Sequence, residues 1–367
     1  MKVFVNATIV DREPYGLGHY ALQVVNHLKD MLDLVVATSV PEMFGGLDVI
    51  EVPTWVRSGE TRFKGKPRYL YVNTLMRGLI KKASPQIILS PNHEAIFRPP
   101  VPQVTVIHDL IAYFYPSLLP GQGLYYRRVL PRLLREHTER IITVSESTRD
   151  DLVSEYGLSK EKIITVHSGL GVEPAFEEPG FLLPERYVLY VGSFLPYKNL
   201  GTLLETFALL DSNDLHLLIA GPTTGKNEKF ARELAGHILA RGLAERVVVV
   251  GYVPSSQLGT LYKRASLLVL PSLYEGFGFP PLEAMSCGTP VAVSRIPALV
   301  ETVGDAGVYF DPRSSRDMAM AIERVLSDRQ LREELVKKGK ERVKSFSWKR
   351  TAECIYEILV NVAGGSP

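Results

Sequence analysis

The residues of this sequence with the most chemical content are two glutamates set eight positions apart, Glu275 and Glu283, in the stretch 271–290, PSLYEGFGFPPLEAMSCGTP. An apolar run, 266–270, precedes it. Gly276 and Gly278 permit a positive φ and close approach of the backbone to a ligand. Pro280 and Pro281 suit the first turn of a helix, where backbone N–H groups have no partner, and Gly288 stands where such a helix would be capped. The sequence therefore specifies a strand, a glycine loop and a helix of roughly two turns. The amino end of that helix presents free amides and the positive end of the dipole, which favours a phosphate. Two carboxylates cannot both grip a diphosphate. They can accept hydrogen bonds from sugar hydroxyls on either side of it, and a hexose and a ribose flanking a pyrophosphate make a nucleotide sugar.

Further groups stand at other strand ends. Tyr190–Leu200 reads YVGSFLPYKNL, and Lys198 precedes a helix from which it can neutralise charge on a departing diphosphate. Val250–Pro254 (VGYVP) and Ala220–Pro222 (AGP) close two more apolar runs. On the amino-terminal side, Tyr15–Tyr20 (YGLGHY) opens a helix with the glycine pair Gly16 and Gly18, and Val106–Asp109 (VIHD) ends an apolar run in His108. His108 reads either as a ligand-facing imidazole or as a core-edge histidine paired with Asp109. Ser145 and Ser147 suit helix capping. Asn92, His93 and Glu94 follow another strand end, in reach of an acceptor. Ligands of open α/β sheets bind at the carboxyl ends of strands, so these motifs converge on one crevice.

Those positions require a particular framework. Short β-branched runs at 2–8, 32–39, 86–91, 103–108, 140–145, 162–167, 187–193, 215–221, 246–252, 266–271, 290–294 and 307–310 alternate with helical patterns, for example 17–29, 123–138, 199–210, 227–240 and 315–326. Most runs are continuously apolar, as in parallel strands covered on both faces, and the alternation predicts doubly wound α/β units. The stretch 171–185 carries three prolines and two glycines without a period and reads as a boundary. The expectation is a Rossmann-like domain over 1–172, a second over 186–345, and an amphipathic helix within 346–367 that follows the second sheet and is a candidate to return to the first domain.

Composition fits this frame. The chain has 367 residues, 42 Lys+Arg against 40 Asp+Glu, a net charge of +2, and 46% apolar residues, which excludes disordered and fibrous classes. No apolar run approaches the ~20 residues of a bilayer crossing. The start, Met1–Asn6, turns polar too early for a signal peptide, and two cysteines, Cys287 and Cys354, make neither a disulfide framework nor a zinc site. A cytoplasmic protein is expected. Residues 57–140 hold 14 basic and 5 acidic residues, a net +9. That region reads either as a solvated helix face or as a surface for anionic lipid or a phosphate-bearing acceptor. It contains no nucleic-acid reading motif.

The stretch at 271–290 resembles the Glu–seven residues–Glu signature of retaining glycosyltransferases of family 4. Matching residues run from Tyr262, Ala265 and Pro271-Ser272 to Pro290-Val291-Ala292, Glu301, Gly304-Asp305-Ala306 and Phe310-Asp311-Pro312. The resemblance covers nearly the whole chain and is nearest to bacterial polysaccharide mannosyltransferases. It implies a GT-B architecture, α/β, with two Rossmann-like domains facing across a cleft. It implies that Glu275 contacts the donor hexose, that Glu283 binds the ribose, and that Gly276, Phe277 and Gly278 offer backbone donors to hexose hydroxyls. Leu282 is implied to offer its amide to phosphate, Lys198 to lie over the pyrophosphate, and the turn at Tyr252 and Val253 to cradle the base. Gly16 and Gly18 would form the loop over the donor phosphate, and His108 would meet the hexose near its C6 hydroxyl. Many family members carry arginine where this chain has Ser193, and often another where it has Tyr197, so Lys198 would carry most of the positive clamp.

The implied reaction is transfer of a hexose from a GDP- or UDP-linked donor, with mannose favoured, to a hydroxyl of a glycan or lipid-linked acceptor, with retention. No Asp-X-Asp is placed to hold a metal beside the donor, so neither an essential cation nor a separate cofactor is expected. Two other readings use the same cleft: a sugar-nucleotide epimerase, which would alter the donor without an acceptor, and a non-catalytic nucleotide-sugar-binding partner. The presence of both glutamates, the lysine and the histidine speaks against the latter.

Overall fold

The computed structural model describes residues 1–12, 16–56, 66–118, 122–171, 175–212 and 214–364. Tyr15 of the glycine loop, Arg57, Arg62 and Lys64 of the basic region and residues 172–174 of the proline-rich stretch lie outside the described residues. The chain divides into two compact units, one formed by Met1–Gly169 with Phe346–Pro367 and the other by Leu170–Ser345.

Unit 1 is built on strands β1 (Lys2–Asn6), β2 (Asp33–Thr38), β3 (Asp48–Glu51), β4 (Ile87–Ser90), β5 (Gln103–Ile107), β6 (Arg140–Thr143) and β7 (Ile163–Thr165), in the spatial order β3-β2-β1-β4-β5-β6-β7. Every neighbouring pair is parallel, for example Val3 opposite both Leu34 and Ile87. Side chains of β4 and β5 are buried throughout, which explains their unbroken apolar character. The twelve expected strands are all present. β3 was not expected. It is an edge strand, Asp-Val-Ile-Glu, with charged ends and two half-buried apolar residues, too short and too polar for a continuous run to signal it.

Unit 2 carries β8 (Tyr187–Val191), β9 (His216–Ala220), β10 (Val247–Gly251), β11 (Leu267–Leu270), β12 (Val291–Ser294) and β13 (Val308–Phe310), all parallel, ordered β10-β9-β8-β11-β12-β13. In each sheet the strand order reverses once, between β1 and β4 in unit 1 and between β8 and β11 in unit 2. At such a reversal the connecting helices pass to opposite faces and leave a crevice at the carboxyl edge, where open α/β sheets bind ligands.

Two chain segments close these units. The helix Trp348–Val362 packs on the helix Leu17–Leu28 of unit 1. Trp348 lies edge-on to Tyr20 at 5.4 Å, and Thr351 Oγ1 donates to the His167 carbonyl at 2.8 Å. Gly169 lies so close to Trp348 that a Cβ there would overlap the indole and its backbone nitrogen. The described part of 171–185 runs along the helix Ser255–Arg264 of unit 2. Glu177 donates its amide to the Ser256 carbonyl (3.0 Å), and its own carbonyl accepts from Thr260 Oγ1 (2.8 Å).

Candidate active site

In unit 2 the loops after β8 and β11 meet at the strand-order reversal. Lys198 Nζ lies 2.5 Å from Glu275 Oε1, and Ser272 Oγ donates to the same oxygen at 2.6 Å. Both long side chains are nearly buried, 12% and 10% exposed. Asn199 fixes the register of this contact. It adopts the left-handed conformation (φ +61°), which asparagine tolerates better than most residues. Its side-chain amide donates to the carbonyls of Pro271 (3.0 Å) and Pro312 (2.7 Å), and its side-chain oxygen accepts from Thr202. One residue thus ties together the loops after β8, β11 and β13.

The helix Phe279–Ser286 starts directly beyond this pair. Gly278 caps it with φ +103°, a conformation that side chains rarely adopt, and a Cβ there would also meet Leu299. Prolines at 280 and 281 remove two amides from the first turn. Leu282 is fully buried, and Phe277 is buried with its carbonyl held by Thr302 Oγ1 at 2.6 Å. Glu283 lies on the second turn, buried, and accepts from the Tyr262 hydroxyl at 2.6 Å. Burial pushes its pKa up to about 7, against the opposing effect of that hydrogen bond. Gly171 approaches Glu283 Oε1 and the Phe279 ring so closely that a side chain there would displace them. Ser193 is half-buried, and its carbonyl accepts from Tyr190 Oη at 2.6 Å. Tyr252, 60% exposed, and buried Val253 follow β10, two strands away from β8 across β9.

In unit 1, Gly16 stands before the helix Leu17–Leu28 with φ +52°, and Gly18 is buried in its first turn. His108 follows β5. Its Nε2 lies 3.1 Å from the Pro91 carbonyl, its amide donates to His93 Nε2 at 2.8 Å, and its carbonyl accepts from Thr148 Oγ1 at 3.2 Å. Tyr20 stands edge-on to its ring at 4.4 Å. Burial, then the neighbouring His93, lowers the pKa of His108 to about 3. Beside it, Glu94 is buried against Arg68, with Asn6 Nδ2, Asn92 Nδ2 and Thr8 Oγ1 at 3.5, 3.4 and 3.3 Å from its Oε2.

Two family models match, "Glycosyltransferase Family 4" over residues 14–173 and "Glycosyl transferases group 1" over 172–342. An O-antigen chain mannosyltransferase B of Escherichia coli is 31% identical over 271 residues, which cover 70% of each protein. The chain belongs to the family 4, group 1 glycosyltransferases. The O-antigen chain mannosyltransferase RfbU of Salmonella typhimurium is 25% identical over 332 residues, 88% of this glycosyltransferase and 90% of RfbU. Among solved structures, Anabaena HepE in complex with UDP-glucose superposes with a TM-score of 0.78 at 17% identity, covering 98% and 100% of the two chains. The fold is that of the GT-B glycosyltransferases.

The structure of this glycosyltransferase joins Lys198 to Glu275 and sets Gly276, Phe277, Gly278, Leu282 and Glu283 along the following loop and helix. Ser193 stands on the loop that leads to Lys198. Gly16, Gly18 and His108 belong to the other unit. Among the described residues no group of three or more His, Cys, Asp or Glu is arranged to hold a metal. One expectation needs correction: Arg68, counted with the basic surface, is 6% exposed and paired with Glu94 inside unit 1. Its position in a run of charges gives no hint of a partner 26 residues away. Asn199 and the Tyr262–Glu283 bond were also missed as site features. The only sequence signal for Asn199 was its place directly after the lysine.

Proposed function

We propose that this glycosyltransferase transfers a hexose, mannose first, from a nucleotide diphosphate sugar, GDP-linked first and UDP-linked second, to a hydroxyl of a glycan or lipid-linked acceptor in surface polysaccharide synthesis. The observation that carries the reading is the Lys198–Glu275 pair at the strand-order reversal, directly before a glycine-capped helix whose second turn holds Glu283. Similarity to two O-antigen mannosyltransferases supports the choice of mannose and of a polysaccharide product.

Donor binding exchanges partners. The pyrophosphate takes the Lys198 ammonium, and the freed Glu275 carboxylate accepts from hexose hydroxyls and faces the positive charge that develops at the anomeric carbon. Glu283 accepts from the ribose, Tyr252 and Val253 border the base, and Gly16 and Gly18 offer backbone to the phosphate. His108, held neutral, accepts from a hexose hydroxyl. The bond from the anomeric carbon to the β-phosphate oxygen breaks, and the acceptor oxygen attacks from the same face. The leaving phosphate oxygen takes the acceptor's proton, and the configuration is retained. Lys198 and the helix dipole stabilise the departing diphosphate, so no metal is required.

Among the described residues no helix is long and apolar enough to cross a membrane. Peripheral contact with an anionic membrane, on its cytoplasmic face, is part of this proposal. Leu70, Leu75 and Leu124 are 66%, 59% and 65% exposed, and Arg77, Lys81, Arg127 and Arg128 accompany them in sequence. The rings of Tyr69 and Tyr125, at 4.2 Å, bring the 70 and 124 segments side by side. Apolar side chains within a basic surface suit anionic headgroups.

The decisive experiment screens GDP- and UDP-sugars for thermal stabilisation, slow hydrolysis and transfer, and reads product configuration by NMR. Lys198→Ala and Glu275→Ala should each lower turnover by at least about 10²-fold with the fold intact. Near-normal transfer by either variant, or an inverted product, overturns the reading. A donor isomerised without any acceptor would mark an epimerase.

A further inference from the structure

We propose that His93 is the positioning residue for His108 in this reaction: anchored by two tyrosines, it holds the His108 backbone so that the Pro91 carbonyl keeps the imidazole presented to the donor hexose in a single tautomer. The proposal rests on the role given above to His108, and it concerns a residue to which that role assigns nothing.

The hydrogen positions follow from which partners can donate. The His108 amide is a donor, so His93 Nε2, 2.8 Å away, must carry a lone pair. His93 Nδ1 then carries the ring hydrogen in the neutral imidazole and donates to Tyr126 Oη at 3.0 Å. The Pro91 carbonyl can only accept, so His108 Nε2, 3.1 Å away, is the protonated nitrogen of that ring. The lone pair of His108 is therefore on Nδ1, and His108 offers a hydroxyl an acceptor rather than a donor. Burial, then the charge of Arg68, lowers the His93 pKa to about 3, which keeps the chain neutral in the physiological range.

The local fold is organised around this residue. Tyr125 and Tyr126 are consecutive, and in a regular α-helix consecutive side chains diverge by about 100°. Here Tyr125–Val129 forms a π-helical turn ahead of the helix Leu130–His137. The two hydroxyls land on the same residue: Tyr125 Oη donates to the His93 carbonyl at 3.0 Å, and Tyr126 Oη meets its ring. Wide turns of this kind recur at functional sites. Tyr69 Oη lies 3.5 Å from Tyr126 Oη and extends the chain. The loops after β4 and β5 are thus cross-linked twice, by Pro91 to His108 and by His93 to His108. Both ring nitrogens of His93 are engaged within unit 1, by Tyr126 and by the His108 amide, so it acts through His108 and not on substrate.

The test uses the full chain with His93→Leu, His93→Gln, Tyr126→Phe and His108→Ala. Glutamine can place an acceptor near the lost Nε2; leucine cannot. Misplacement of a reacting group by about 1 Å costs on the order of 10²-fold in rate, so His93→Leu should lower kcat by about 30- to 100-fold, nearly as far as His108→Ala. His93→Gln should recover to within about fivefold and Tyr126→Phe should lose about threefold, the scale of one hydrogen bond. Affinity for GDP or UDP, read by thermal stabilisation, should be unchanged in all four. Long-range proton–nitrogen NMR of the imidazoles needs no substrate. It should show His108 as one Nε2–H tautomer in the native chain and, in His93→Leu, a loss of that single form as the His108 backbone loosens and Nε2 leaves the Pro91 carbonyl. Native-like turnover in His93→Leu beside an impaired His108→Ala, or a native His108 protonated on Nδ1, overturns the proposal. Loss of nucleotide stabilisation in the native chain would instead sink the functional reading, and the NMR result would still decide the tautomer.

Discussion

At the strand-order reversal of unit 1, Glu94 meets Arg68, with Asn6, Asn92 and Thr8 gathered on its second oxygen; at the reversal of unit 2, Glu275 meets Lys198 and one serine hydroxyl. Both are carboxylate–cation pairs at the ligand-binding edge of a parallel sheet. They differ in how readily the cation can change partners. Arginine presents a planar fork in a fixed orientation, whereas a lysine ammonium is a point charge on a flexible stem. Glu94 is 2% exposed and surrounded by side-chain partners on three separate segments, so releasing Arg68 would strand a buried charge. Glu275 has one cationic partner and one serine hydroxyl, and in the proposed reaction a diphosphate would take its place on Lys198. Under the proposed function, the same pair of charges makes a fastening in one unit and a switch in the other.

The sharpest way to break that comparison is to remove one member of each pair. Glu94→Ala or Arg68→Ala should destabilise unit 1 by about 3–5 kcal/mol, the scale for an uncompensated buried charge. Lys198→Ala leaves a carboxylate that is 10% exposed and still bonded to Ser272, so it should cost about 1–3 kcal/mol, less than the loss of Arg68, while turnover falls by orders of magnitude. Urea unfolding followed alongside transfer rate reads both. Equal destabilisation by Lys198→Ala and Arg68→Ala would mean that the unit 2 pair is also structural.

The sequence made the switch easier to see than the fastening. Glu275, Lys198 and Glu283 stand beside glycines and prolines with unusual backbone demands, and φ +103° at Gly278 is the kind of feature a local reading detects. The strands were legible because parallel strands buried on both faces are unbroken apolar runs, and β3 was not because an edge strand has no such run. The Asn6–Arg68–Glu94 cluster draws on residues as much as 88 positions apart. Its members read individually as a strand end, a surface cation and a loop acid, and only the sheet order brings them together.

A second test sharpens the contrast by charge alone. Burial raises the pKa of Glu283 to about 7 in the folded chain, so between the unfolded value and 7 the native state holds the extra proton. Stability therefore falls as pH rises through that window. Glu283→Gln removes the ionisation. It should match the native chain near about pH 5 and exceed it by at most about 3 kcal/mol near about pH 8.5, while losing affinity for the donor ribose. Thermal unfolding at the two pH values, with and without GDP or UDP, measures both effects. A constant difference across pH would show that Glu283 does not titrate in this range.

The smallest expected effect isolates the hydroxyl that opposes that shift. Tyr262 donates to Glu283 Oε2 at 2.6 Å and favours the carboxylate against its burial. Tyr262→Phe keeps the ring and deletes the donor, so Glu283 should titrate higher by about half a unit to one unit, with a stability change of about 1 kcal/mol. Because a protonated Glu283 has one fewer acceptor for a ribose hydroxyl, the pH at which donor KM begins to rise on acidification should move upward by the same amount, with kcat at saturating donor little changed. Unlike Glu94, whose partners fix it in place, Glu283 would then be tuned by a single phenol. A KM profile that stays in place in Tyr262→Phe would separate this glutamate from donor binding altogether.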